Sequence, residues 1–429
     1  MFRHPSGQNS ECNKLPMMTA TSEIDSHSKG PQGERRGIAV KPEIFDYKHV
    51  GGKFLLLCAG GLGVLVACFV WGYFDPAQFA FSYLFGFYFF FTICMGGFFW
   101  TLVHHAVNAE WGVVVRRQME NLGGLLLVVA VLFIPLIFVR GYLWKWMLPQ
   151  NAEDPHLLAK WPYLTPVFFW LRSAFYFAFF SISTELLRRF SIKQDADGAA
   201  KWTVFNRRVT FISLPLFAIS LTFAAIDYLM GLNYQWFSTM WGVYIFAGTA
   251  LSSMCVLVLI ITALRSAGYL KNVVTMEHYH TMGKLMFAFT VFWAYIGFSQ
   301  YMLIWYADIP EETLWFLRRT TESWWFLSQF LVIGHFFVPF LLLLPQPLKR
   351  KPAYLCAVAV WILLMHCMDI YVVVLPELHK AGVQLHLLDF LCPLGIGCIL
   401  AAVFLKRLGD ASLFPVRDPR LKFSLDLRN

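Results

Sequence analysis

The sequence predicts an all-α integral membrane protein of ten transmembrane helices. Composition is the first sign. Of 429 residues, 58% are hydrophobic, 18% aromatic and only 14% charged, against about 25% charged in a soluble domain. The second sign is ten apolar runs, each near the roughly 20 residues that a helix needs to cross a bilayer. The third is the alternation of basic residues between the runs. With ten crossings, 28 lysines and arginines fall on one side and six on the other, leaving Arg172 inside a run. This split puts both termini in the cytoplasm.

Taken in order, residues 1–40 are polar and rich in Ser, Gly and Pro, which predicts a disordered or loosely packed extension. No apolar stretch follows a basic start there, so no cleaved signal peptide is expected. The spans then run over about 53–74, 79–104, 119–139, 164–187, 208–227, 236–264, 281–305, 323–344, 353–375 and 384–405. Pro135, Pro215, Pro339 and Pro393 fall inside them. They predict kinks rather than breaks, because neighbouring groups in a membrane bundle re-satisfy the released carbonyls.

An internal repeat orders the spans. Phe81, Ser82, Gly86, Tyr88 and Phe90 recur at the same spacing as Phe237, Ser238, Gly242, Tyr244 and Phe246, 156 positions on. Arg208 precedes Asp227, and Arg350 precedes Asp369, by the same 19 positions. Leu122-Gly123 and Met282-Gly283 add a weaker match. Spans 2–5 and 6–9 therefore read as two four-helix bundles, with spans 1 and 10 peripheral. Four crossings return the chain to its starting side, so the copies are parallel. The expected divisions are 1–40, 41–78, 79–235, 236–376, 377–409 and 410–429.

Ionisable side chains inside a span are costly unless paired or wet, and they mark candidate sites. Asp227 and Asp369 fall near the outer ends of spans 5 and 9. Asp389 and His386 fall in the outer part of span 10, and His335 and His366 near mid-membrane. Arg172 sits in the outer half of span 4 and Glu185 near its inner end. His104, His105, His278, His280 and Lys284 cluster at inner ends and read as interfacial anchors. A structural reading stands beside each: Arg172 can pair with Asp227 to hold the bundle, and the central histidines can donate to backbone carbonyls.

The nine cysteines form no Cys-x-x-Cys, so zinc, iron–sulfur and c-type haem attachment lack support. One central histidine pair is too few for two stacked haems. Gly-rich phosphate loops and nucleophile elbows are not seen.

Three stretches resemble a known family. DYLMGLNYQWFSTMWGVYIFAG, from Asp227 to Gly248, is similar to a segment of the large membrane subunits of alternative complex III. Residues 103–122 are similar to that family's basic turn between its second and third spans. HTMGKLMFAFTVFWAYIGFSQYMLIWYADIPEE, from His280 to Glu312, is similar to its strongest signature and best matches the ActF-type subunit. Tyr228 departs from the pattern, where Trp is common, and Gly231 to Tyr234 replace a Ser-Leu-acid stretch.

The resemblance implies a subunit of a quinol- or menaquinol-oxidising respiratory complex of the polysulfide-reductase-like (NrfD-type) family, in the bacterial inner membrane. Partners would be quinol from the lipid phase, an ActC-like paralogue, and iron–sulfur and multihaem cytochrome c subunits. The chain itself would hold no haem or cluster and would bind no nucleic acid. Its contribution would be quinol binding, a proton path, or both. In that setting Asp227, Asp369, His366, His335, Glu185 and Arg172 form a candidate proton relay or quinol site. The alternatives are a transporter or ion channel with parallel repeats, or a scaffold.

Overall fold

The computed structural model describes residues 41–46 and 51–428; the polar segment 1–40 lies outside them. Among the described residues, ten helices are long and apolar enough to cross a membrane. They are α1 (Gly51–Phe74), α2 (Pro76–Ala106), α3 (Val113–Phe138), α4 (Pro166–Asp197), α5 (Ala200–Asn233), α6 (Trp241–Ser266), α7 (Met276–Ala307), α8 (Glu322–Leu343), α9 (Pro352–Glu377) and α10 (Leu388–Gly409). The protein is an all-α, multi-pass membrane protein.

Local chemistry sets the helix ends. Asp75 caps α2 by accepting from the Gln78 N–H at 3.1 Å, with Pro76 at the first position. Pro166 and Pro352 open α4 and α9 in the same way. Gly198, at φ 69°, ends α4 in the left-handed conformation that suits glycine.

Three expected boundaries need correction. α3 begins at Val113 rather than near 119, because Arg116, Arg117 and Gln118 are buried despite their polarity. α4 and α5 likewise extend beyond their apolar cores, to Asp197 and from Ala200. The prolines also divide into two classes. Pro215 and Pro393 lie within continuous helices. Pro135 instead stands at the start of a restarted turn after α3 breaks at Phe133. Pro339 follows a π-helical turn, Ile333–Phe337. A proline cannot donate to the carbonyl four residues back, here that of His335, and its ring crowds that carbonyl. The widened turn accommodates both effects.

The helices pack as two rings, α2-α3-α4-α5 and α6-α7-α8-α9. The rings meet along α2 and α6, with α5 against α6 and α9 against α2, as two copies related by an axis along the helices would. α1 and α10 pack on each other and against α2. At the ring interface Gly96 is essential: a Cβ there would lie 2.0 Å from Ser253 Oγ and 2.3 Å from the Thr249 carbonyl. Small residues of this kind let membrane helices approach closely.

The ends of the bundle differ. At the end holding the start of α1 and the close of α10, here the basic end, residues 410–428 fold beneath the first ring. Asp418 accepts from Arg116 at 2.8 Å and from Arg420 at 2.9 Å. Ser424 donates to the Trp111 carbonyl at 2.9 Å. Beneath this strap His104, His105 and His278 are fully buried. They are not the interfacial anchors that sequence position implied, because the tail removes them from the interface.

Candidate functional site

The acids of the repeat, Asp227 in α5 and Asp369 in α9, lie at the end opposite the basic one. Both are buried, yet their surroundings differ. Asp227 Oδ2 accepts from Arg172 Nε at 2.9 Å, and Oδ1 from Arg172 Nη2 at 2.6 Å. Tyr176 adds a third donor at 2.9 Å. The guanidinium lies 3.9 Å from the centre of the Tyr163 ring and 4.4 Å from that of Phe168. Phe133, Trp144, Phe169 and Phe177 pack around the neighbouring Tyr228 and fill the interior of this ring. A forked, stacked pair in a filled core is a structural clamp.

Asp369 has no such clamp. It accepts from the Tyr244 hydroxyl and from Trp293 Nε1, the latter at 3.1 Å. No ion pair reaches it among the described residues. Its tyrosine belongs to the repeated phrase; the counterpart, Tyr88, is buried with no hydrogen-bond partner for its hydroxyl.

A cavity of about 630 Å³ borders Asp369 and Tyr244. Its walls come from α6, α7, α8, α9 and the short helix Pro310–Arg319. α7 packs on α8 from the π turn toward the basic end but scarcely touches its outer stretch, Glu322–Val332. Tyr295, Phe298 and Phe337, each exposed on the bundle surface, line the resulting gap. The cavity therefore reaches the lipid-facing side. Such size and aromatic lining, with a few polar groups, suit a flat organic ligand. Gln300 lines it, and its buried Oε1 has no partner, which is the kind of group a ligand satisfies.

Arg319 closes the far end of the cavity. It donates to the carbonyls of Val372 at 3.0 Å and Val373 at 2.7 Å, and stacks on Trp315 at 3.6 Å. Burial pushes its guanidinium down to about 9, with Glu377 opposing, so it remains charged at neutral pH.

Trp293 forms the wall between the cavity and the central histidines. Its ring is 4.1 Å from that of His335, and His335 is 6.3 Å from His366, centre to centre. The Thr92 hydroxyl donates to the Phe89 carbonyl at 2.7 Å and stands 2.9 Å from His366 Nε2. With its single proton committed, Thr92 must accept there, so His366 carries its proton on Nε2. His366 Nδ1 and both His335 nitrogens are buried without partners.

The six expected site residues are thus not one group. Asp369, His366 and His335 gather around Trp293. Asp227 and Arg172 pair in the other ring. Glu185 lies near the basic end, bonded to Arg189 at 3.1 Å and Arg407 at 3.0 Å. Among the described residues Glu185 makes no hydrogen bond or ion pair with the other five members of the expected relay toward Asp227 and Asp369. Asp389 accepts from Ser82 at 2.5 Å and Gln78 at 3.0 Å, while His386 stands just before α10. Sequence reasoning missed Tyr244, Trp293, Gln300 and Arg319. Tyr244 was in view as a repeat marker; Trp293 was one of many aromatic residues, Gln300 an uncharged polar residue within span 7, and Arg319 a loop cation.

The fold defines a multi-pass helical membrane protein, and its second ring holds a cavity bordered by exposed aromatic residues of α7 and α8. No protein-family model matches the chain, and no curated protein matches it. Among the described residues no cluster of three or more His, Cys, Asp or Glu side chains could hold a metal ion.

Proposed function

We propose that this chain is the quinol-binding membrane subunit of a respiratory quinol:cytochrome c oxidoreductase of the alternative complex III type, with its site in the second ring. The observation that carries this reading is the cavity beside Asp369: aromatic, reachable from lipid, and floored by a carboxylate held by Tyr244 and Trp293 with no cation. A quinol ring lies between the aromatic walls, with one hydroxyl at Asp369. The carboxylate takes the proton as the ring is oxidised. Oxidation releases two electrons and two protons: Asp369 takes the first proton, passes it on toward the outer water and then takes the second, while the electrons pass to iron–sulfur and haem c centres of partner subunits. Gln300 fixes the ring orientation, and Tyr244 shares the proton. The excess of basic residues in alternate loops favours cytoplasmic termini in a bacterial inner membrane, and on that reading the site faces the side where such partners dock.

The test is affinity purification from native membranes in mild detergent. The reading expects haem c and iron–sulfur subunits to copurify with quinol:acceptor activity. A chain that purifies alone and moves protons or solutes in vesicles would establish the transporter reading instead.

A further inference from the structure

The donors around Asp369 are already spent within the protein. The Tyr244 hydroxyl and Trp293 Nε1 both donate to the acid itself. Trp241 Nε1, on the same cavity wall, donates to the Ala225 carbonyl at 3.1 Å. Arg319 gives Nε, Nη1 and Nη2 to the carbonyls of Val372, Trp315 and Val373, at 3.0, 2.8 and 2.7 Å. Tyr295 and Tyr301, which also line the cavity, are exposed on the bundle surface.

The acceptors are not spent. A carboxylate has about four lone-pair sites, and each Asp369 oxygen receives one donor. Gln300 Oε1 is buried without a partner among the described residues. Their positions suit one ligand. Gln300 follows Trp293, the donor to Asp369, by seven residues on α7. Seven residues are about two turns, so Gln300 lies on the same face, about 10.5 Å further from the basic end. Two hydrogen bonds of about 2.8 Å, with a six-membered ring and its two para oxygens between them, cover about that distance.

We propose that this site selects its ligand by redox state, and that Gln300 is the residue that reads it. The proposal rests on the quinol reading of the cavity. A para-quinol donates one hydroxyl to Asp369 and the other to Gln300 Oε1. The corresponding quinone has two carbonyls and no donor, so it turns acceptors toward acceptors at both ends. A buried acceptor left unpaired is costly, and a site built to receive a hydroxyl rejects the analogue that lacks it. The reduced form is held and the oxidised form leaves.

The test uses the complex purified in mild detergent, with duroquinol as substrate, ferricytochrome c as acceptor and duroquinone as added product. KM for the quinol is compared with the competitive inhibition constant of the quinone. The proposal expects the inhibition constant to exceed KM by about tenfold or more. Gln300→Met keeps the length but replaces the amide by a weak acceptor. It should raise KM by about tenfold and leave the inhibition constant unchanged. An inhibition constant at or below KM in the parent complex overturns the proposal without need of a variant. So does Gln300→Met that leaves both constants unchanged, or that raises both together, as it would if the amide N–H served a quinone carbonyl. Each of these results leaves the quinol reading standing. A complex that does not oxidise duroquinol overturns that reading, and the proposal with it.

Discussion

Arg172 grips Asp227 through two hydrogen bonds, 2.9 and 2.6 Å long, while the repeat counterpart of that acid, Asp369, is held among the described residues only by neutral donors. One ring has spent its acid on a clamp and filled its interior with aromatic rings. The other keeps its acid beside a cavity. Duplication followed by divergence of the two copies accounts for both.

The clamp makes the first prediction. Asp227→Asn leaves the largely buried Arg172 without its counter-charge and should destabilise the protein by on the order of 3 kcal/mol. Adding Arg172→Met should recover most of the loss. Thermal unfolding of the two variants in the same detergent checks this. Equal stability of Asp227→Asn and the parent would show that the pair is not a clamp.

Asp369→Asn should behave in the opposite way. The amide still accepts from Tyr244 or Trp293, so stability should change by no more than about 1 kcal/mol, while quinol turnover falls at every pH. Asp369→Leu removes both acceptors and should cost about 1–3 kcal/mol as well. Full turnover in an assembled Asp369→Asn complex would remove Asp369 from the proton step.

Gly297 lines the cavity, and a Cβ there would sit 3.4 Å from Tyr244, an ordinary contact. Gly297→Ala should therefore be silent. Gly297→Leu projects into the cavity and should raise KM for quinol by about tenfold or more, with the melting temperature little changed. Steady-state kinetics over a range of quinol concentrations separates the two.

The pH dependence of the tail follows from Asp418. Burial alone would raise its pKa, but Arg116 and Arg420 together pull it well below the usual carboxylate range. A depressed folded value stabilises the strap fully above the unfolded pKa of about 3.9. That stability is lost as pH falls from there toward the folded value. The tail should resist proteolysis at pH 7 and become susceptible near pH 3; Asp418→Asn should expose it already at pH 7.

Much of the fold was legible because a bilayer writes plainly: run length, charge alternation and the repeated Phe-Ser-Gly-Tyr-Phe phrase each report helix number or order. The start of α3 was not, because Arg116 is held by Asp418 of the tail, some 300 residues later in sequence, and Arg117 by Asp195 of α4, tertiary facts that local hydropathy does not carry. The site was half legible. Asp369, His335 and His366 stood out as ionisable groups at depth. That they belong apart from Asp227 depends on which neighbours carry the counter-charge, and a repeat suggests equivalence where packing has made a difference. Trp293 was hidden among aromatic residues that read as belt or core.

The most direct test is a density map of the native complex with a quinone analogue bound. The account predicts the analogue in the gap between α7 and α8, its ring within hydrogen-bond distance of Asp369 or Tyr244. An analogue seated beside Asp227 in the first ring, or only in a partner subunit while the Asp369 cavity holds none, would contradict it.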